Sequence, residues 1–312
     1  LIWVAWRQHR TPLLTTGGLL AAIAAVMTYH RFDMLDYLSR CAVTEQPCAG
    51  FHDRYGGYLQ LIRLVLLALP ALVGMFIGGP LFARDLEQDT HILSLTQSVG
   101  RTRWWATKLL VGGVPVVAMM LALGLVAAWA LAPVSELAGF ARMQHMVFEI
   151  QGLVLGPYTL LGLAVGATAG LLSRRTLPAM VAAVVAYVVV LAGVGVGVRP
   201  HYAEPVQAVT GVVEQGSDRI HHVETDVDRA QVLMVANSYR DQDGNPVAFS
   251  WGCLSAGAAA DCPQRTGPIT EVTSYQPASR FWAFQSIESG IFAALGAVVL
   301  ALGWWRLRRR VW

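Results

Sequence analysis

Apolar residues gather along the chain into six long blocks, at roughly 13–29, 59–83, 109–131, 150–172, 177–198 and 284–305, with shorter polar stretches between them. A helix of roughly 20 apolar residues crosses the hydrocarbon core of a bilayer, and each block approaches or meets that length. The pattern predicts an all-α polytopic membrane protein with six transmembrane helices. Residues 1–198 would hold spans 1–5, and 283–312 the sixth span with a basic tail. Between them, 199–282 is rich in Asp, Glu, Gln, Asn and Pro and is expected to form a small β-leaning domain. Within it, "EPVQAVTGVVEQ" and "RAQVLMVANSYRDQDGNPVAFSWGC" carry β-favouring residues around the turn chemistry of Asp243-Gly244-Asn245-Pro246, which predicts short strands about a hairpin.

The polar stretch 84–108 has a rhythm of its own. Ile92, Leu93, Leu95 and Val99 recur at spacings of three and four, as on an amphipathic helix. Asp85, Glu87 and Asp89 precede them and Arg101 and Arg103 follow, each sign at the helix end that favours it. Trp104 and Trp105 are expected to anchor the next span at headgroup depth. At the start, "LIWVAWRQHRTPLL" mixes Trp3 and Trp6 with Arg7, His9 and Arg10. That mixture suits a short surface-lying segment, and an ordinary positive flank is the competing reading. The first block is read as an uncleaved span in preference to a signal peptide, because no small-x-small cleavage site precedes a soluble domain. Leu1 reads either as an alternative start codon or as a truncation.

Composition agrees with a membrane protein: 55% of the 312 residues are hydrophobic and 14% charged, against about 25% charged in soluble domains. Charge sets the orientation. With the amino terminus inside, Arg7, Arg10, Arg84, Arg101, Arg103, Lys108, Arg174, Arg175, Arg306, Arg308, Arg309 and Arg310 fall on the cytoplasmic side, and the two short outer loops hold far fewer basic residues. Both termini are therefore expected in the cytoplasm, at the cell membrane, with 199–282 outside. The net charge of +3 then implies no nucleic-acid partner. Two close cysteine pairs, Cys41 with Cys48 and Cys253 with Cys262, both fall in outer segments. Local disulfides suit that compartment, with free thiols as the alternative.

Within the spans, Gly74 with Gly78, Gly152 with Gly156, and Gly162, Gly166 and Gly170 share helical contact spacings, which predicts close helix packing or a subunit interface. Pro70, Pro115 and Pro157 are candidate kinks. Ionisable residues are sparse. Arg63 and Glu288 lie a turn from the outer edge and either snorkel or face the bundle, while Glu149 sits at an interface. The sequence holds no G-x-x-x-x-G-K-[ST] loop, no G-x-S-x-G elbow and no H-E-x-x-H pair. His221, His222, Glu224 and Asp226 lack a metal-ligand spacing. No catalytic, metal-binding or cofactor-binding residue is predicted, and any nucleotide-driven work falls to another chain.

"FARDLEQDTHILSLTQSVGRTRWWATKLL" resembles the inner segment between the second and third spans of ABC transporter permeases of the type-2 class. Small permeases of high-GC Gram-positive bacteria are the nearest likeness. Their ending is similar to "QPASRFWAFQSIESGIFAALGAVVLALGWWRLRRR" here. The resemblance implies six spans, pairing with a second permease copy or a related permease, and cytoplasmic ATPase subunits that carry ATP and magnesium and dock on this segment. It places Glu87, Thr90, Ser98, Arg101 and Lys108 at motif positions of the coupling region. With the periodicity added, Asp85, Glu87, Arg101 and Arg103 are expected polar contacts, and Ile92, Leu93 and Leu95 apolar anchors, for that partner. The family often has glycine where Asp89 stands. The reading is the permease subunit of an ABC exporter embedded in membrane lipid. Its rivals are an ion-coupled secondary transporter and a non-transporting scaffold or sensor whose outer domain binds a ligand.

Overall fold

The computed structural model describes residues 2–44, 50–88, 100–135, 140–213, 221–222, 232–247 and 269–309. Among them, six helical segments are long and apolar enough to cross a membrane: Arg10–Cys41, Phe51–Glu87, Arg101–Ala130, Leu155–Ser173, Thr176–His201 and Ala278–Arg309, numbered spans 1 to 6. Each overlaps one of the six apolar blocks, and a small sheet lies between spans 5 and 6.

Span 1 is part of a single helix, Ile2–Thr44, which runs unbroken through Pro12. The Trp3 and Trp6 stretch is therefore continuous with the span and forms no separate surface segment. The helix also outlasts its apolar block. Its polar extension is fastened to span 2, where the Asp33 carboxylate accepts hydrogen bonds from the Tyr55 hydroxyl at 2.7 Å and from Arg54 at 3.2 Å. Spans 2, 3 and 5 each contain one wider π turn, at Gly74–Gly78, Leu109–Gly113 and Val194–Val198. Pro70 lies one turn before the first and Pro115 just beyond the second. Proline lacks a donor N–H, and a local change of ladder spacing lets neighbouring carbonyls find partners in a solvent that offers none.

Span 4 is the most enclosed helix and touches spans 2, 3, 5 and 6. Its small residues explain the fit. Gly162, Gly166 and Gly170 lie against Gly74, Gly78 and Gly79 of span 2, and a Cβ at Gly166 would stand 2.6 Å from the Gly74 carbonyl oxygen and 2.7 Å from the Gly79 nitrogen. The register predicted from spacing thus closes a contact within one chain. Gly152 is not part of it. The residue has φ +78° in the turn before span 4, whose helix begins at Leu155, so the Gly152–Gly156 spacing does not describe a helical face. Gly166→Ala is expected to lower stability by about 1–3 kcal/mol through overpacking. Gly193→Ala, with nothing within 4 Å, should leave it unchanged; thermal unfolding of the two variants side by side checks this.

The sheet has five strands, β1 (Val206–Val213), β2 (His221–His222), β3 (Leu233–Arg240), β4 (Pro246–Val247) and β5 (Ile269–Gln276), in the order β2-β1-β5-β3-β4 with antiparallel neighbours. The expected hairpin joins β3 to β4 at Gly244, φ +83°, where the Asp241 carboxylate accepts a hydrogen bond from the Asn245 N–H at 2.7 Å. The central strand, β5, escapes the sequence reading. "ITEVTSYQ" alternates weakly because paired strands flank it, and its Thr273 hydroxyl bonds that of Thr210 at 2.7 Å. Gln276, at its end, donates to the carbonyls of Pro200 (3.0 Å) and Ala203 (2.6 Å), pinning the sheet to the end of span 5. Cys41 is not a free thiol. Cys48, Cys253 and Cys262 lie outside the described residues, and the two pairings remain proposals.

Candidate functional site

The two flanks of the 84–108 stretch converge on the bundle. Helix Pro80–Glu87 completes span 2 and helix Arg101–Lys108 opens span 3. Lys108 is buried, and its ammonium donates to the Asp85 carboxylate and to the Leu81 carbonyl at 3.1 Å. The Trp104 ring centroid lies 5.3 Å from this nitrogen. Trp104 itself is enclosed with Leu81, Phe82, Leu86, Leu171 and Leu307, its ring 5.2 Å from that of Phe82. It is therefore an interior residue and not the headgroup anchor expected from its position, because spans 2, 4 and 6 offer it more apolar surface than one face of lipid would. Trp105 beside it is half-buried.

Glu87 joins a third helix. Its carboxylate accepts hydrogen bonds from the Thr176 N–H at 2.7 Å and the Thr176 hydroxyl at 2.6 Å. Span 4 ends in a left-handed Arg174, φ 54°, and the short turn brings the start of span 5 to this carboxylate. Arg175 at the N-cap position of span 5 supplies no capping side chain. Glu87 meets that need from span 2, an acid at the positive end of a helix. Spans 2, 3 and 5 are thus joined through two pairs, Asp85 with Lys108 and Glu87 with Thr176. Arg101 is half-buried and Arg103 exposed, while Thr90, Ile92, Leu93, Leu95 and Ser98 lie outside the described residues.

The opposite end of the bundle holds a charge cluster that sequence reading missed. Arg199, assigned above to the head of the polar domain, is wholly enclosed. Its Nε and Nη2 reach the two oxygens of Glu288 at 2.8 and 2.7 Å, and its Nη1 donates to Glu149 Oε1. The guanidinium carbon stands 4.2 Å from the Phe148 ring centroid. Tyr158 and Tyr202 also donate to Glu288, the latter at 3.0 Å. Burial, and then the adjoining Glu288 charge, push the Tyr202 hydroxyl well above its ordinary value, so it stays a donor. Of the two orientations open to Glu288, the bundle-facing one is found. Arg63 is half-buried, 5.4 Å from the Phe140 ring centroid.

Gln285 fastens the loop that presents Glu149. Its Oε1 accepts from the N–H groups of Leu153 (2.8 Å) and Val154 (3.1 Å), and its Nε2 donates to the Phe148 carbonyl at 3.0 Å. Arg–carboxylate pairing at this spacing gave no local signal: the guanidinium lies 50 residues from Glu149 and 89 from Glu288. An ionisable residue at each of three span ends was the only available hint. Among the described residues no group of His, Cys, Asp and Glu is placed to hold a metal ion.

The sequence profile of the family described as "ABC-2 membrane transporter related" matches residues 17–199, which take in most of span 1, spans 2–4, nearly all of span 5 and the 84–108 stretch. No curated protein and no solved structure matches the chain.

Proposed function

The chain belongs to the ABC-2 membrane transporter related family, and on that premise we propose that it is the permease subunit of an ABC exporter at the cell membrane, driven by ATPase subunits on separate chains. The 84–108 stretch faces the cytoplasm in this reading, as the distribution of basic residues favours. Its central residues receive the ATPase, with Ile92, Leu93 and Leu95 as apolar anchors. ATP and magnesium belong to that partner. A second permease copy or a related permease completes the transporter.

The observation that carries the proposal is the double fastening of the stretch. Displacement at its centre reaches span 3 through Lys108 and Asp85, and span 5 through Glu87 and Thr176. A lever must be stiff at its root, and both roots are hydrogen-bonded into the bundle. Binding energy from the ATPase then biases the spans between two accessible states. Tagged protein purified from native membranes is expected to bring down an ATPase subunit, and the triple variant Ile92→Asp, Leu93→Asp, Leu95→Asp to lose it. Repeated purification of the intact chain without any ATPase would count against the reading.

The enclosed Arg199, Glu149 and Glu288 favour one rival, an ion-coupled carrier, since charge inside a bundle often marks an ion path. Flux in vesicles that follows an ion gradient and ignores ATP would select it.

A further inference from the structure

Spans 2 and 5 do not close against each other along their whole length. A cleft of about 650 Å³ lies between them, a size that fits a drug-like molecule. Leu64, Leu67, Ala68 and Met75 wall one side, and Val184 and Val188 the other. Glu149 also lines this cleft, towards the end that carries the sheet, as does Gly195 in the π turn of span 5. Gly195 places that end beside the ions: a Cβ there would stand 3.5 Å from Arg199 Nη2 and 3.6 Å from Glu149 Oε1.

The carboxylates of the cluster are unequally satisfied. Glu288 has both oxygens occupied, by Arg199, Tyr158 and Tyr202. The side chain of Glu149 is 7% exposed, and Arg199 takes only its Oε1; Oε2 is buried without a hydrogen-bond partner. A buried carboxylate oxygen lacking a donor is unfavourable by more than a neutral group would be. The cluster also holds one cation against two carboxylates. His145 and Tyr187 line the same cleft, yet neither donates to Glu149 Oε2; what that oxygen lacks is a donor bearing positive charge, next to a wall of hydrocarbon.

We propose that the cleft binds an amphipathic organic cation, an apolar body with one amine. The ammonium group donates to the Glu149 carboxylate, which turns its buried Oε2 to the cleft, and the apolar part lies between spans 2 and 5. An anion would meet the excess negative charge, and an alcohol would leave that charge unanswered. The proposal deepens the transport reading, on which it rests for the claim that the occupant is cargo.

Binding of dodecylamine, dodecanol and dodecanoate to the full chain in phosphatidylcholine nanodiscs tests it, with empty nanodiscs subtracted. The amine is expected to bind at least about tenfold tighter than the other two. Glu149→Gln should bring it to within about twofold of the alcohol, and Ala68→Phe, which fills the cleft away from the ions, should weaken both. Equal binding of amine and alcohol by the unaltered chain would overturn the proposal, as would an amine preference that survives Glu149→Gln or binding indifferent to Ala68→Phe. Displacement of the amine by phosphatidylethanolamine at equal mole fraction would assign the cleft to resident lipid and likewise overturn it. The two readings fail separately. A chain that retains its ATPase but shows no amine preference sinks only the cargo class, whereas a chain that binds the amine and recruits no ATPase sinks only the ABC reading.

Discussion

Arg199→Met is expected to destabilise the bundle by about 3–5 kcal/mol, because it strands two buried carboxylates without a counter-ion. Glu288 would keep the donors Tyr158 and Tyr202, but Glu149 would lose the one partner it has. Arg199→Lys should recover only part of the loss. An ammonium group cannot reproduce the parallel pair of bonds from Nε and Nη2 to Glu288 while also reaching Glu149. The triple variant Arg199→Met, Glu149→Gln, Glu288→Gln separates loss of charge balance from loss of packing. Neutralising the whole cluster should restore most of the stability, since a buried ion set replaced as a unit is often neutral in effect. Thermal unfolding in nanodiscs reads all three. If Arg199→Met unfolds within about 0.5 kcal/mol of the parent, solvent reaches these carboxylates and the cluster is not the enclosed one described.

Lys108→Met should have the next largest effect. Asp85, with 14% of its side chain exposed at the root of the 84–108 stretch, would lose the Lys108 ammonium. A double-mutant cycle with Asp85→Asn should return a coupling energy on the order of 1–3 kcal/mol. Function discriminates further. The paired variant Lys108→Met, Asp85→Asn is expected to recover much of the folding stability while permease-dependent ATPase stimulation stays depressed, because the stability needs charge balance and the lever needs a fixed root. Full stimulation by the paired variant would show that force does not pass through this contact.

Much of the architecture was legible along the chain. Six apolar blocks became six spans, because in a bilayer each backbone must satisfy its own hydrogen bonds in a helix, and length with hydropathy then nearly specifies the outcome. Turn chemistry at Asp243-Gly244 marked the β3–β4 hairpin. Glycine spacing announced the meeting of spans 2 and 4 but not that both faces belong to one chain. The acidic flank at Asp85 and Glu87 was visible as well, but not its partners inside the chain, because Lys108 and Thr176 belong to other helices.

The sequence by itself determined the number of spans, the place of the polar 84–108 stretch and the site of the sheet, all of which depend on composition read locally. Only the tertiary structure decided that Arg199 turns into the bundle to join Glu149 and Glu288, that Trp104 is interior, and that a cleft ends at a half-paired carboxylate. Hydrophobic burial is non-directional and can be read along one dimension. A buried charge needs a partner within about 3 Å, and the helices that bring such partners together are distant in sequence.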